Sequence, residues 1–314
     1  MKMKRYTVAL WVAAVLWIGV AGVSRAEFRY NQAEVSAAAV AQATTGSTEG
    51  AWEKRKEQEK AVEKSPWAIL PHRPNYILPF TYVTNVNEKP LEKASGKDAD
   101  LDDVEVKFQL SFRIPVWDNM FNSNASLFAA YTQQSLWQAY NESDSSPFRD
   151  TNFEPEGGVS FATDVDVLGL RNRQIVFAFA HQSNGRGLDA LSRSWNRLYA
   201  SGVFDRGNFA TGLKVWWRLP EDEEDDNNPH IEKYYGYGEL RAAYKWGNQV
   251  FAGMLRNNLR PDNNKGAIQL DWSFPLVSKL KGYVQFFNGY GECLLDYNYA
   301  NQRIGVGILL SDWL

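Results

Sequence analysis

The chain places an imidazole, a hydroxyl and a carboxamide within one short stretch, HQSNGRGLDALSRSWNRLY, from His181 to Tyr199. His181 and Ser183 stand two apart, and on a β-strand such residues project from the same face because side chains alternate with period two. Asn196 follows after about a dozen residues, enough chain to turn back into an antiparallel neighbour. The three groups can then meet at one end of a hairpin. A hydroxyl nucleophile, an imidazole base and a group that orients the imidazole are the parts of acyl-transfer chemistry. Ser183 would attack poorly unless a base took its proton, and His181 can take it. Asn196 can accept from the other ring N–H and fix the tautomer. A neutral amide stabilises an imidazolium less than an Asp would, so a cation or backbone N–H groups on the oxyanion side would help. The same three residues would also suit plain hydrogen bonding at a strand–loop boundary. His72 and His230, the other histidines, sit beside prolines with no serine at strand spacing, and no G-x-S-x-G elbow of an α/β-hydrolase occurs.

Positioning these groups requires strands, and the chain from Asn75 onward reads as twelve of them. They lie near 75–84, 104–117, 126–139, 155–167, 171–183, 194–204, 208–219, 232–246, 248–257, 266–275, 279–289 and 300–311. Alternation is clearest in Val104-Val106-Phe108-Leu110-Phe112, Ile175-Phe177-Phe179 and Ile304-Val306-Ile308-Leu310. Short connections at Asp205-Arg206-Gly207, Gly247-Asn248 and near Val277-Ser278 alternate with longer polar ones at 85–103, 140–152, 184–193, 220–231 and 258–265. An even strand count with short and long connections in turn fits a bacterial outer-membrane barrel better than a soluble sandwich. The expected fold is all-β: a twelve-stranded antiparallel transmembrane β-barrel over 71–314, with both ends periplasmic.

Parity then decides where the reactive groups face. Ile175, Phe177, Phe179, His181 and Ser183 share one face, and Gln174, Val176, Ala178, Ala180 and Gln182 the other. Large aromatics belong on the lipid side of a small barrel, so His181, Ser183 and Asn196 are expected to point outward, near the outer leaflet. Polar groups are costly there, which favours a functional reading. A channel would set its polar constellation in the lumen instead.

Composition agrees with this picture. Lys2, Lys4 and Arg5 followed by the apolar run Val8–Val20 and Ser24-Arg25-Ala26 read as an export signal over 1–26, cut ahead of Glu27. Its removal takes four cations and no acids, leaving 30 Lys+Arg against 37 Asp+Glu, a charge of −7 that argues against a nucleic-acid partner. One cysteine, Cys293, excludes an internal disulfide and reads as an inert barrel residue. Aromatic content of 14%, with 12 Trp and 15 Tyr, suits aromatic girdles. Residues 27–70, rich in Ala, Glu, Lys and Gln, read as a partly helical or disordered extension, solvated rather than functional. The acidic run Glu221–Asp226 lacks the spacing of a known calcium loop and reads as a solvated outer loop.

The block H-x-S-N-G-R…S-R-S-W-N-R-L-Y resembles outer-membrane phospholipase A, the barrel hydrolase family of Gram-negative bacteria. VEVKFQLSFRIPVW at 104–117, SSPFRDTNFEP at 145–155 and GYGECLLDYNYANQRIGVGILLSDW at 289–313 are similar to it as well. The resemblance covers nearly all of 75–314 but not the extension. It implies a calcium-dependent acyl hydrolase of phospholipids and lysophospholipids, active as a homodimer in the outer membrane. It implies Ser183 as nucleophile, His181 as base and Asn196 as orienting amide. For calcium it implies the Arg186 carbonyl, the Ser192 hydroxyl, the Ser145 carbonyl reaching the partner subunit's ion, and Asp189 at a second position. Gln133 matches a polar residue of the dimer interface. Oxygen ligands of these kinds are what Ca²⁺ takes. Two departures stand out: one extra residue between Arg186 and Asp189, and Leu314 where a terminal Phe is usual. The alternative reading is a non-catalytic barrel, a pore or structural protein that keeps the fold.

Overall fold

The structure is a computed structural model and describes residues 50–63, 65, 68–142, 147–187, 190–277 and 280–314. The expected export signal and most of the extension lie outside the described residues, as do Ser145 and Asp189. A two-residue strand β1 (Leu70–Pro71) precedes twelve longer ones: β2 (Asn75–Val83), β3 (Val104–Trp117), β4 (Ala125–Trp137), β5 (Phe148–Val167), β6 (Leu170–Ser183) and β7 (Ser194–Arg206), then β8 (Phe209–Arg218), β9 (Gly238–Trp246), β10 (Gln249–Asn257), β11 (Gly266–Val277), β12 (Leu280–Tyr290) and β13 (Ala300–Ser311). Each of the twelve pairs antiparallel with its sequence neighbours, and β13 pairs with β2 from Arg303↔Val83 to Ser311↔Asn75. The twelve long strands therefore close into the expected barrel, which pairs the backbone around the ring.

Tight turns fix the register at one end. Gly207-Asn208 and Gly247-Asn248 join strands through two residues with a positive φ at the glycine, and Leu168-Gly169 has positive φ at both. These are the primed hairpin geometries whose twist matches the strands, and Gly adopts them without a Cβ penalty. Long connections gather at the other end, the loop end. There the short helix α2 (Lys89–Ser95) interrupts the first loop and α3 (Glu232–Tyr235) the fourth. Two boundaries differ from expectation. The 140–152 loop ends earlier, since Phe148–Asn152 extends β5, where Arg149, Asp150 and Asn152 are buried and hydrogen-bonded. The strand expected from 232 begins only at Gly238, because Glu232–Tyr235 coil into α3 and bury Tyr235.

Side chains alternate as the pleat demands. Leu110, Ile114, Phe179, Leu198, Trp217, Leu240 and Ile304 are exposed on the outside. Inside, an apolar cluster of Phe128, Ala178, Ala180, Trp195, Trp216, Ile231, Tyr235 and Leu294 fills part of the lumen. The rest is ionic. Glu105 accepts from Arg149 at 3.1 Å and Arg303 at 2.5 Å, Arg149 reaches Asp296 at 2.6 Å, and Glu292 takes Lys107 at 2.8 Å and Arg303 at 2.7 Å. Arg73, Arg197, Glu154 and Glu156 form a second network below it. The interior thus carries much paired charge, with carboxylates set against most of the buried cations.

At the turn end helix α1 (Ala51–Glu63) lies against the barrel. The Ala51 N–H donates to the Gly207 carbonyl at 2.8 Å, and Arg55 Nη1 donates to the carbonyls of Asp312 at 2.8 Å and Trp313 at 2.9 Å. Ala51 and Glu59 are buried. Ala51–Glu63 thus forms a helix docked on the barrel. Cys293 is buried too, but in the 291–299 loop that folds into the lumen and not on a strand. Among the described residues no helix is long and apolar enough to cross a membrane.

Candidate active site

Register brings the reactive candidates together. In the β6–β7 ladder His181 stands opposite Asn196 and Ser183 opposite Ser194. Inward neighbours on the same strands are buried: Ala178, Ala180, Trp195, Arg197 and Tyr199. His181, Ser183 and Asn196 alternate with these buried residues and are half-buried beside the exposed Phe179 and Leu198. The Nδ1 atom of His181 lies 2.9 Å from the Asn196 carbonyl oxygen, Oδ1. Ser183 is partly exposed at the strand end, two residues from His181, and makes no hydrogen bond to it among the described residues.

The surface behind this pair is buried and hydrogen-bonded. Trp195 is fully buried and donates its indole N–H to Gln182 at 2.8 Å, while Arg197 stacks 4.0 Å from the Trp195 ring and pairs with Glu154 at 2.6 Å. The loop above is pinned as well. Asn184 donates to the Leu191 carbonyl at 2.8 Å and accepts from the Arg193 N–H at 3.0 Å, closing the 184–193 connection on itself. The Arg186 guanidinium donates to the carbonyls of Phe148 and Arg149 at 3.1 and 3.0 Å, tying that loop to β5. Ser192 accepts from Asn227 at 3.2 Å and so keeps a lone pair for another partner.

Of the residues expected around calcium, Arg186 is thus tied to β5 and Ser192 to Asn227. No group of three or more His, Cys, Asp or Glu suited to a metal occurs among the described residues. Hydroxyl and carbonyl oxygens, however, are the donors a hard cation takes, so the chemistry of this loop fits Ca²⁺. Gln133 is half-buried on the face of β4 opposite Phe128, within a polar chain: Tyr131 donates to it at 3.2 Å, it donates to the buried Ser135 at 3.3 Å, and Thr151 donates to Ser135 at 3.1 Å. This string of hydroxyls and amide on an otherwise apolar wall had no clear signal in the alternation beyond Gln133 itself.

Sequence reasoning missed one neighbour. Glu221, read as part of a solvated acidic run, accepts from Asn196 Nδ2 at 3.2 Å and is partly buried. Burial pushes its carboxyl above the usual carboxylate range, against the pull of the Arg218 cation. Only the sequence distance of twenty-five residues hid it; nothing in a run of acids marks which member folds back.

Comparison with known proteins decides the family. The family model described as phospholipase A1 matches residues 52–310. The chain belongs to the phospholipase A1 family. The phospholipase A1 of Klebsiella pneumoniae is 38% identical over 248 residues, which is 79% of this chain and 84% of that protein. The outer membrane phospholipase A of Escherichia coli superposes with a TM-score of 0.72 at 35% identity, over 79% of this chain and 100% of that one. A Salmonella typhi outer membrane phospholipase, described as a dimer with bound calcium, gives 0.73 at 34%, over 81% of this chain and 96% of that one. The resemblance read from the His181–Tyr199 block is thereby established as kinship, and the chain is a phospholipase by family.

Proposed function

We propose that this chain hydrolyses acyl ester bonds of phospholipids and lysophospholipids from the outer membrane, with calcium and as a homodimer. Ser183 is the nucleophile, His181 the base and Asn196 the orienting amide. The observation that carries the reading is the 2.9 Å contact of His181 Nδ1 with Asn196 Oδ1 on the outward face of the barrel. An amide oxygen only accepts, so Nδ1 carries the ring proton and Nε2 presents a lone pair. Nε2 takes the hydroxyl proton as Ser183 Oγ attacks the ester carbonyl carbon, and returns it to the departing alcohol oxygen of the lysolipid or glycerol backbone. Water then enters by the same route and releases the fatty acid. Exposed Phe179 and Leu198 beside the centre offer apolar surface to an acyl chain.

Arg186 through its carbonyl and Ser192 through its hydroxyl would hold calcium, joined by Ser145 from the partner subunit and by Asp189 at a second position. When bound, calcium supplies positive charge for the oxyanion side, which a triad with a neutral third member needs. Dimerisation on the outward face would cover the polar groups and supply the second wall of an acyl pocket, and Gln133 with its hydroxyl neighbours suits that contact. A pore is not favoured, because Arg149, Arg303 and Lys107 with their carboxylates occupy the lumen. The test is phospholipid hydrolysis by refolded protein in detergent, with Ca²⁺ against chelator, beside Ser183→Ala. Activity confined to the wild type with Ca²⁺ supports the reading, and full activity in Ser183→Ala refutes it.

A further inference from the structure

We propose that Glu221 is a positioning residue that holds the Asn196 carboxamide in the one orientation that leaves His181 able to act as base. The proposal rests on the roles given above to Ser183, His181 and Asn196. A carboxamide has two ends of opposite character, and rotating it by half a turn exchanges acceptor for donor. If Asn196 turned its NH₂ toward His181, Nδ1 would accept, the ring proton would sit on Nε2, and the base would be blocked toward Ser183. A carboxylate removes the choice, because it can only accept. With Glu221 Oε1 at 3.2 Å from Nδ2, the amide nitrogen is committed to Glu221 and the oxygen to His181, 2.9 Å away.

The backbone sets Glu221 there. Leu219 N–H donates to the Asn196 carbonyl at 2.8 Å, so the chain leaving β8 is fastened to the same residue that Glu221 serves. Pro220 follows with its φ fixed, and Glu221 is delivered back over β7. Charges around it come from four elements. Arg218 at the end of β8 lies 3.8 Å from the second carboxylate oxygen but is drawn more closely to Asp226 of the loop at 2.6 Å; Glu232 of α3 is 3.7 Å from the same arginine, and His181 of β6 faces across Asn196. Arg218 is thus drawn mainly to Asp226, and Glu221 Oε1 remains with the amide.

This arrangement also accounts for an amide at 196 where serine hydrolases more often use a carboxylate. Asn196 works as a bridge, donating to one ionised group and accepting from the ring that becomes positive. The formal charge stands one residue further back. An Asp at 196 would meet Glu221 acid to acid at hydrogen-bond distance, and the two could not both ionise there.

The experiment compares wild type with Glu221→Gln, Glu221→Ala, Asn196→Asp and the double change Asn196→Asp/Glu221→Gln, in detergent with Ca²⁺. Heat-modified electrophoretic mobility confirms the barrel in each, and Ser183→Ala serves as the reference for the underlying mechanism. Glu221→Ala is expected to lower kcat about tenfold with little change in KM, as loss of an orienting hydrogen bond to a charged group would. Glu221→Gln removes charge but keeps an acceptor, so its loss is smaller. In both, the acidic limb of log kcat/KM against pH moves to lower pH, because an anion near the protonated ring is gone. Asn196→Asp is expected to lose more activity with Glu221 present than in the double variant, where the second acid is removed. Wild-type kcat in Glu221→Ala and Glu221→Gln, with Ser183→Ala inactive, would overturn the role of Glu221 alone. A loss of kcat with an unmoved acidic limb and no rescue in the double variant would also overturn it, as mere loop damage. Activity in Ser183→Ala would overturn the mechanism on which it rests.

Discussion

Replacing Asn196 by Ala isolates the part of the mechanism that depends on geometry alone. The side chain makes two polar contacts, 2.9 Å to His181 and 3.2 Å to Glu221, and neither contributes an atom to the reaction. Before proton transfer the first contact joins two neutral groups; once His181 holds the serine proton it becomes a hydrogen bond to a cation. Such bonds contribute about 1.5–3 kcal/mol. With about 1.4 kcal/mol for each factor of ten, kcat should fall about 10- to 150-fold and KM little. Ser183→Ala, by contrast, removes the proposed nucleophile and should leave only background. The assay is hydrolysis of a thioester phospholipid in mixed micelles with saturating Ca²⁺, run on folded protein at equal concentration. An Asn196→Ala variant as inactive as Ser183→Ala would show that the amide does more than orient the ring, and one with unaltered kcat would show that it does nothing for catalysis.

Three further outcomes follow from the fold and the site. Glu105→Gln leaves Arg149 and Arg303 short of a shared partner in the buried lumen, at 3.1 and 2.5 Å, and should lower unfolding stability by about 3–5 kcal/mol; an unchanged urea midpoint in detergent would contradict this. Cross-linking in detergent should show dimer with Ca²⁺ and monomer with chelator, and Ser192→Ala should need more Ca²⁺ for the same dimer fraction; full turnover by a verified monomer in chelator would refute the coupling. Planar-bilayer recordings should show no steady conductance, because paired charges and the 291–299 loop obstruct the lumen; an open channel would revive the pore reading.

The closed barrel was legible because closure, alternation and turn chemistry all leave marks in the sequence. Gly207-Asn208 and Gly247-Asn248 are local signals, and so is the period-two run around Ile175-Phe177-Phe179. The pairing of His181 with Asn196 on facing strands was legible from their spacing. What could not be read was set by distant partners. Phe148–Asn152 look like loop because Arg149, Asp150 and Asn152 are polar, and only their burial against Glu105, Asp296 and the 291–299 loop makes strand the better state. Helix α1 looks solvated for the same reason: its Arg55 and Glu59 find partners on the barrel rather than in water. Glu221 sits among acids of equal appearance, and its contact with Asn196 depends on how one loop turns.

The closing seam has a consequence for the order in which this protein becomes itself. Arg303 meets Thr81 across 222 residues of chain, whereas His181 meets Asn196 across 15. The entropy of bringing chain ends together grows as the logarithm of the separation, which makes the seam dearer than the hairpin by about 2 kcal/mol. The hairpin that carries the reactive groups can therefore zip first and wait. The ring that gives it an inside and an outside must come last, since the ions that lock it, Arg303 with Glu105 and Glu292, span both ends of the chain. A chain interrupted before β13 would hold the pieces of a hydrolase on an open ribbon, with no wall to distinguish lipid from lumen.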